Sequence, residues 1–358
     1  MKNNNNLHFW KNKKVFITGH TGFKGSWLCI ILNLLGAEIT GYSLKPKTIP
    51  SLFKLAGVEK IIKKSIISDI RNYENLYKQI KLSKAKIIFH LAAQPLVRQS
   101  YMEPKETFET NFLGTLNILE CVKKIKSIKS SVFITSDKVY DTKKNKIYKE
   151  TDFLRGTDPY SGSKVVCEHL FFSYNNSFFA NNSQQKLATV RAGNVIGGGD
   201  YSKDRLIPDL MSQTKKNKKI ILRNPNSTRP WQHVLEPLSG YLILAEKLYK
   251  RNKKICNQEQ NWNFGPNVSN CKPVKYIANF IAKRTSLKFE TVKSKSKTYI
   301  PETNFLRLSN SKSKRFLFWF PKWTLDTTLI KIIEWNKLIK LRKTRTVCEK
   351  QIKEYYKI

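Results

Sequence analysis

Between residues 13 and 197 the chain alternates between short strand-like runs and longer helical patterns, and this alternation limits the fold more than any other feature. KKVFITG (13–19), EITGYSL (38–44), KIIKKSIISDI (60–70), AKIIFHLAA (85–93), SSVFITSDKVY (130–140) and LATVRAGNVIG (187–197) are apolar and rich in β-branched or aromatic residues, as strands are. SWLCIILNLLG (26–36), NYENLYKQIKLS (72–83), ETFETNFLGTLNILECVKKI (106–125) and DPYSGSKVVCEHLFFSY (158–174) read as helices between them. Strand–helix alternation of this length predicts a Rossmann-type α/β fold: a doubly wound parallel sheet with helices on both faces.

After Gly199 the rhythm breaks into loops, prolines and aromatics, with helices near 206–216, 235–249 and 274–285. The expected organisation is a dinucleotide-binding domain over 1–198, a smaller α/β substrate domain mainly over 199–335 with parts returning to the first, and a charged, partly exposed helical tail over 336–358.

Composition narrows the function classes. With 40% hydrophobic residues the chain can build a core, and 66 Lys+Arg against 26 Asp+Glu gives a net charge of +40. The basic residues are spread along the chain and Lys outnumbers Arg. This reads as a solvated basic surface on an ordinary fold, not as a nucleic-acid stripe, and it helps to capture anionic substrates. Cys29, Cys121, Cys167, Cys256, Cys271 and Cys348 show no CxxC spacing and no zinc-like Cys/His cluster. No apolar run approaches membrane-spanning length, and the N-terminus has no signal core. The expectation is a soluble cytoplasmic protein without a metal.

Gly19, Gly22 and Gly25 form G-x-x-G-x-x-G between the first strand and the first helix. Small residues let the backbone turn tightly, and the helix start offers free N–H groups to a pyrophosphate. Thr21, Phe23, Leu91, Ala92 and Ala93 fall on the same expected cofactor surface. Asp69, at the end of the third strand, is placed to accept from an adenine amino group. The end of the second strand (Gly41, Tyr42, Ser43, then Lys45) has no acidic residue for ribose hydroxyls, so it does not separate NAD from NADP.

Tyr160 and Lys164 lie one helical turn apart and face the same way. A lysine there steadies a cofactor ribose, and its charge with that of oxidised nicotinamide lowers the tyrosine pKa, so that Tyr160 can take a proton from a sugar hydroxyl while hydride leaves the same carbon. The fifth strand ends in Thr135-Ser136-Asp137-Lys138, at the edge where α/β folds bind ligands. Ser136 is a donor to the reacting oxygen and Asp137 an acid beside it.

These residues resemble the extended short-chain dehydrogenase/reductases over roughly 10–335. The longer motifs GHTGFKGSWL, HLAAQPLVRQSY, TSDKVY, DPYSGSK, RAGNVIGGGDYSKDRLIPDL, RPWQHVLEPLSGYL and WNFGP are similar to the CDP-glucose 4,6-dehydratase family. The resemblance implies tightly held NAD, CDP-glucose as substrate, a homodimer paired through helices near 106–124 and 158–174, and supply of deoxysugars for surface polysaccharide. It also implies oxidation at C4, loss of water across C5–C6 and hydride return to C6. Tyr160 is then the base of oxidation and Asp137 the acid of elimination; Lys138 is the C5 base by position only. Gln94, Arg98, Asn111, Asn194, Arg205, Arg229 and His233 are the expected substrate contacts, with Arg191 a further candidate for the diphosphate. Other nucleotide-sugar dehydratases, 4-epimerases and a non-catalytic NAD-binding protein are the competing readings.

Overall fold

A computed structural model describes residues 7–142, 146–179, 183–216, 219–222, 224–291, 306–339 and 343–358. Its centre is a seven-stranded, all-parallel sheet: β1 (Lys14–Thr18), β2 (Glu38–Ser43), β3 (Lys64–Ile67), β4 (Ile87–His90), β5 (Ser130–Ile134), β6 (Lys186–Ala192) and β7 (Asn261–Phe264). The spatial order is β7-β6-β5-β4-β1-β2-β3. The order reverses between β1 and β4, so a crevice opens beyond their C-terminal ends, where doubly wound sheets bind ligands. β5 and the inner strands are apolar on both faces, as a sheet covered twice requires.

The helices in chain order are α1 (Phe23–Leu34), α2 (Tyr73–Ser83), α3 (Gly114–Lys124), α4 (Pro159–Tyr174), α5 (Leu206–Lys216), α6 (Leu235–Tyr249), α7 (Val274–Ala282), α8 (Leu325–Ile339) and α9 (Thr344–Tyr356). α2, α3 and α4 pack on one face of the sheet around Leu76, Ile118, Leu119 and Phe171. α1, α6 and α9 pack on the other around Trp27, Ile31, Leu238, Tyr241 and Ile352. A separate cluster joins α5, α7 and α8 through Leu210, Ile277, Ile281 and Leu329.

The long helix expected over 106–125 is interrupted by a π-helical turn at Glu109–Leu113. The wider turn directs Asn111 inward, where its side chain is fully used by Gln94 and Ser163. Two segments from beyond residue 198 join the sheet and its covering layer. β7 is the seventh strand of the sheet, and α6 covers β5 and β6.

The terminal segment, expected as a charged and partly exposed helix, turns one face inward. α9 buries Val347, Cys348, Ile352, Tyr355 and Tyr356 against the core on α1. Its anchor is Glu236 of α6, which accepts from the Tyr355 hydroxyl at 2.7 Å and from the Lys322 and Trp323 backbone N–H groups. Among the described residues no helix is long and apolar enough to cross a membrane, and all six cysteines are free.

Apolar side chains such as those on α9 contribute roughly 1.5–3 kcal/mol each when buried. Together they amount to much of a net stability of about 5–15 kcal/mol. Truncation after residue 343 is therefore expected to lower the thermal unfolding midpoint sharply and to expose dye-binding apolar surface. An unchanged circular-dichroism melt would refute the assignment of α9 to the core.

Candidate active site

The turn after β1 is built on glycine for steric reasons. Gly19 has φ +76°, and a Cβ there would lie 2.8 Å from the Ala92 nitrogen. A Cβ on Gly25 would overlap the Gly19 carbonyl oxygen. The turn therefore seats directly on Leu91–Ala92, and Thr18 locks the two loops by accepting from the Leu91 and Ala92 N–H groups at 3.1 Å. Gly22 caps α1 without a side chain, which leaves first-turn N–H groups at the mouth of the crevice. These features fit a dinucleotide's pyrophosphate, because free N–H groups and the helix dipole both attract an anion.

Other cofactor candidates have internal partners. The Thr21 hydroxyl bonds the Ser43 hydroxyl and the Leu44 carbonyl, each at 2.9 Å, and so ties the turn to β2. Phe23 packs toward Gly197. Asp69 is held by the Arg71 guanidinium at 2.6 Å, which keeps its carboxyl below the usual range.

Beyond β5, Ser136 and Asp137 are buried and Lys138 is half-buried. The Ser136 hydroxyl donates to Asp137 Oδ1 at 3.2 Å, accepts from the Lys138 N–H at 3.2 Å, and is hydrogen-bonded to the Tyr160 hydroxyl. Tyr160 stands in the first turn of α4. A capping box of Asp158 and Ser161, with Pro159 at the first helical position, fixes that turn. Ser100 Oγ accepts from the Tyr160 N–H at 3.1 Å. One turn on, Lys164 Nζ donates to the Ile134 carbonyl at 3.3 Å. The Ser136, Asp137, Lys138, Tyr160 and Lys164 group is thus assembled in one place.

Burial dominates its electrostatics. The Tyr160 hydroxyl is pushed up to about 12 by desolvation, against a lowering bond from Ser136. Among the protein's own charges, Arg205 opposes that shift. Lys164 is itself lowered by burial. Asp137 is raised by burial, partly offset by Lys138, Ser136, Lys24 and Arg229. Asp137 Oδ2 is buried with no hydrogen-bond partner among the described residues. A carboxyl in that setting keeps its proton longer than an exposed one, as a general acid must.

Directly below lies a buried ion pair. Arg191 on β6 meets Glu168 on α4 through Nε at 2.9 Å and Nη2 at 2.8 Å, with Thr189 bonding the same carboxylate at 2.9 Å. Arg191 Nη1 continues to the Tyr140 hydroxyl at 2.8 Å. Arg191 is therefore part of the scaffold and not a diphosphate contact.

Several expected substrate contacts are internal too. Gln94 is 2% exposed, and its amide bonds Thr107 and Leu96. Asn111 holds the Gln94 backbone. His233 is packed between Trp27 and Trp323, accepts from the Leu235 N–H, and is pushed down to about 3 by burial. His90, on β4, bonds Thr18 at 2.8 Å.

The remaining candidates stay near the crevice. Arg98 pairs with Asp204 at 3.0 Å and Arg205 with Asp200 at 3.3 Å. Arg229 is buried and close enough to Asp137 to lower its pKa. Asn194 is half-buried, its carbonyl accepting from the Gln232 N–H at 3.0 Å. Sequence reasoning missed Lys24, Asp200 and Tyr241. Lys24 was visible as a variable position of the glycine motif; Tyr241, on α6, carries no local signal, yet it is buried with charge coupling to Asp137 and Tyr160.

Residues 16–332 match the family model described as GDP-mannose 4,6 dehydratase. The chain belongs to that family. Among the family's relatives, a CDP-glucose 4,6-dehydratase of Salmonella typhimurium is 44% identical over 97% of both chains. A dTDP-D-glucose 4,6-dehydratase of Bos taurus is 23% identical, covering 91% of this chain and 89% of its own. Among solved structures, a dTDP-glucose 4,6-dehydratase of Bacillus anthracis in complex with NAD has a TM-score of 0.74 at 22% identity, covering 92% of this chain and 98% of its own. That likeness speaks to the fold alone.

Arg191→Met removes one partner of a buried pair, which costs about 3–5 kcal/mol. It is expected to lower the unfolding free energy in urea by that amount. A variant that keeps its stability but binds nucleotide more weakly would return Arg191 to the ligand site.

Proposed function

We propose that this chain converts CDP-glucose to CDP-4-keto-6-deoxyglucose and water, with bound NAD. The observation that carries the reading is the cluster at the end of β5, where a buried, partnerless Asp137 oxygen stands beside Ser136, Tyr160 and Lys138. A 4-epimerase has no use for an acid aimed at a leaving hydroxyl. The 44% identical relative supports CDP as the nucleotide.

The glycine turn and Lys164 hold the cofactor, which when bound accepts a hydride and gives it back. Tyr160, as the phenolate that Lys164 and the charge of an oxidised cofactor would together favour, takes the O4 proton as hydride leaves C4, and Ser136 steadies that oxygen. The new ketone acidifies the C5 proton, which Lys138 removes. Asp137 protonates the C6 hydroxyl as it departs, so that water and a C5–C6 double bond form. Hydride then enters at C6 and Lys138 returns a proton to C5. The balance is loss of one water with no net redox change. Arg205 and Arg229 receive the diphosphate as forked donors, with Asn194 beside them.

Two further parts belong to this reading. Exposed Phe108, Val166 and Phe172, on the lead into α3 and on α4, form the pairing face of a homodimer. The protein works in the cytoplasm, supplying a deoxysugar precursor of surface polysaccharide.

The deciding experiment incubates the purified chain separately with CDP-glucose, dTDP-glucose, GDP-mannose and UDP-glucose. A 4-keto-6-deoxy product lighter by one water, from CDP-glucose alone, is expected. A product from another sugar would move the substrate, and no product from any would leave the non-catalytic reading.

Asp137→Asn should lower turnover by about 10²–10⁴-fold. C4 oxidation should survive, seen as accumulating reduced-cofactor absorbance. The raised Asp137 pKa also gives a sign: turnover should fall as pH climbs past it, because the acid then loses its proton. That basic limb should be missing from the residual activity of Asp137→Asn. For Lys138, the readout is deuterium entering C5 from heavy water. Normal exchange in Lys138→Ala would remove it as the C5 base.

A further inference from the structure

Lys24 is the residue of the glycine turn that the reaction above does not use. It lies two positions after Gly22, in the first turn of α1, and is half-buried. Its charge interacts with Arg205, Asp137, Lys164 and Asp200, so its four-carbon stem carries the ammonium from the turn toward the catalytic group. Among the described residues that ammonium makes no hydrogen bond and no ion pair, although both neighbouring cations have partners: Lys164 bonds a carbonyl and Arg205 pairs with Asp200.

A shielded cation without a partner, beside two other cations, is unfavourable in the protein alone. Desolvation and the Arg205 and Lys164 charges push it down to about 8, against the opposing charges of Asp137 and Asp200. The arrangement becomes favourable when an anion arrives. Side chains in a helix tilt toward its N-terminus, so Lys24 leans back over the free N–H groups of the turn. Arg205 and Arg229 are already available to a second diphosphate, on the substrate.

We propose that Lys24 is a binding residue for the cofactor, its ammonium gripping an oxygen of the dinucleotide's pyrophosphate. The assignment rests on the dinucleotide reading of the glycine turn. It adds a charged side chain to a site otherwise made of backbone N–H groups, so that cofactor retention depends on salt and pH.

Calorimetric titration of NAD into the full-length, cofactor-stripped protein tests this, with CDP titrated in parallel. Lys24→Met should weaken NAD binding by about 10- to 100-fold, the scale of one charge-assisted contact. It should flatten the salt dependence of that binding. Lys24→Arg should restore most of the affinity. In the parent protein NAD affinity should decline as pH rises above about 8, because the ammonium loses its proton there unless an anion holds it. The melting midpoint of stripped Lys24→Met should equal or exceed that of the parent, since an unpaired cation has been removed. Unchanged NAD affinity in Lys24→Met, or a loss confined to CDP, would overturn the assignment. So would a lowered melting midpoint that Lys24→Arg fails to restore. A parent protein that binds no NAD would sink the dinucleotide reading itself.

Discussion

The catalytic geometry hangs on the buried pair of Glu168 and Arg191, whose side chains are 4% and 2% exposed. Two desolvated charges are tolerable only when every lone pair and N–H finds a partner. Here the Glu168 oxygens accept from Thr135, Thr189 and two guanidinium nitrogens, while Arg191 reaches on to Tyr140 and the Glu150 carbonyl. The Tyr140 hydroxyl donates to Asn263 on β7. One polar network therefore crosses from α4 through β5 and β6 to β7. Thr135 immediately precedes Ser136, and Glu168 follows Lys164 by one helical turn. The pair consequently fixes the register between the strand that leads to Ser136 and Asp137 and the helix that carries Tyr160 and Lys164.

Above that anchor, the chemistry is set by burial working against charge. Desolvation raises Asp137 and Tyr160 and lowers Lys164 and Lys24, so each group is moved toward its neutral form. The surrounding cations pull Asp137 back toward ionisation, but burial prevails. An anion beside those cations would weaken their pull and raise Asp137 further. The +40 charge of the whole chain acts at longer range, by raising the local concentration of anions near the crevice.

The parts of this design that are local were legible in the sequence. Strand–helix alternation announces the parallel sheet, and G-x-x-G-x-x-G and Tyr160-x-x-x-Lys164 need only a turn and one helix to make sense. Residue type alone does not say whether a polar group's partner is a ligand or another part of the protein. Gln94, Asn111, Arg191 and His233 look like substrate contacts when read as types in motifs. Their partners include groups 13 to 52 positions away or in aromatic packing, and are set by the fold. Lys24 was obscured for the opposite reason, because a glycine motif directs the eye to the glycines and treats its intervening positions as free.

The same contrast explains the C-terminal helix. Averaged over 336–358 the segment is charged, and an average says only that part of the helix is exposed, not which part. Its buried residues are Thr344, Val347, Cys348, Gln351, Ile352, Tyr355 and Tyr356. They recur at intervals of three and four, the spacing of one helix face, while Lys350, Lys353 and Glu354 fall on the other. Burial follows the stripe and not the mean. A lysine-rich chain hides such a face, because charge is high even in helices that seal the core, and only the phase of the apolar positions reveals it.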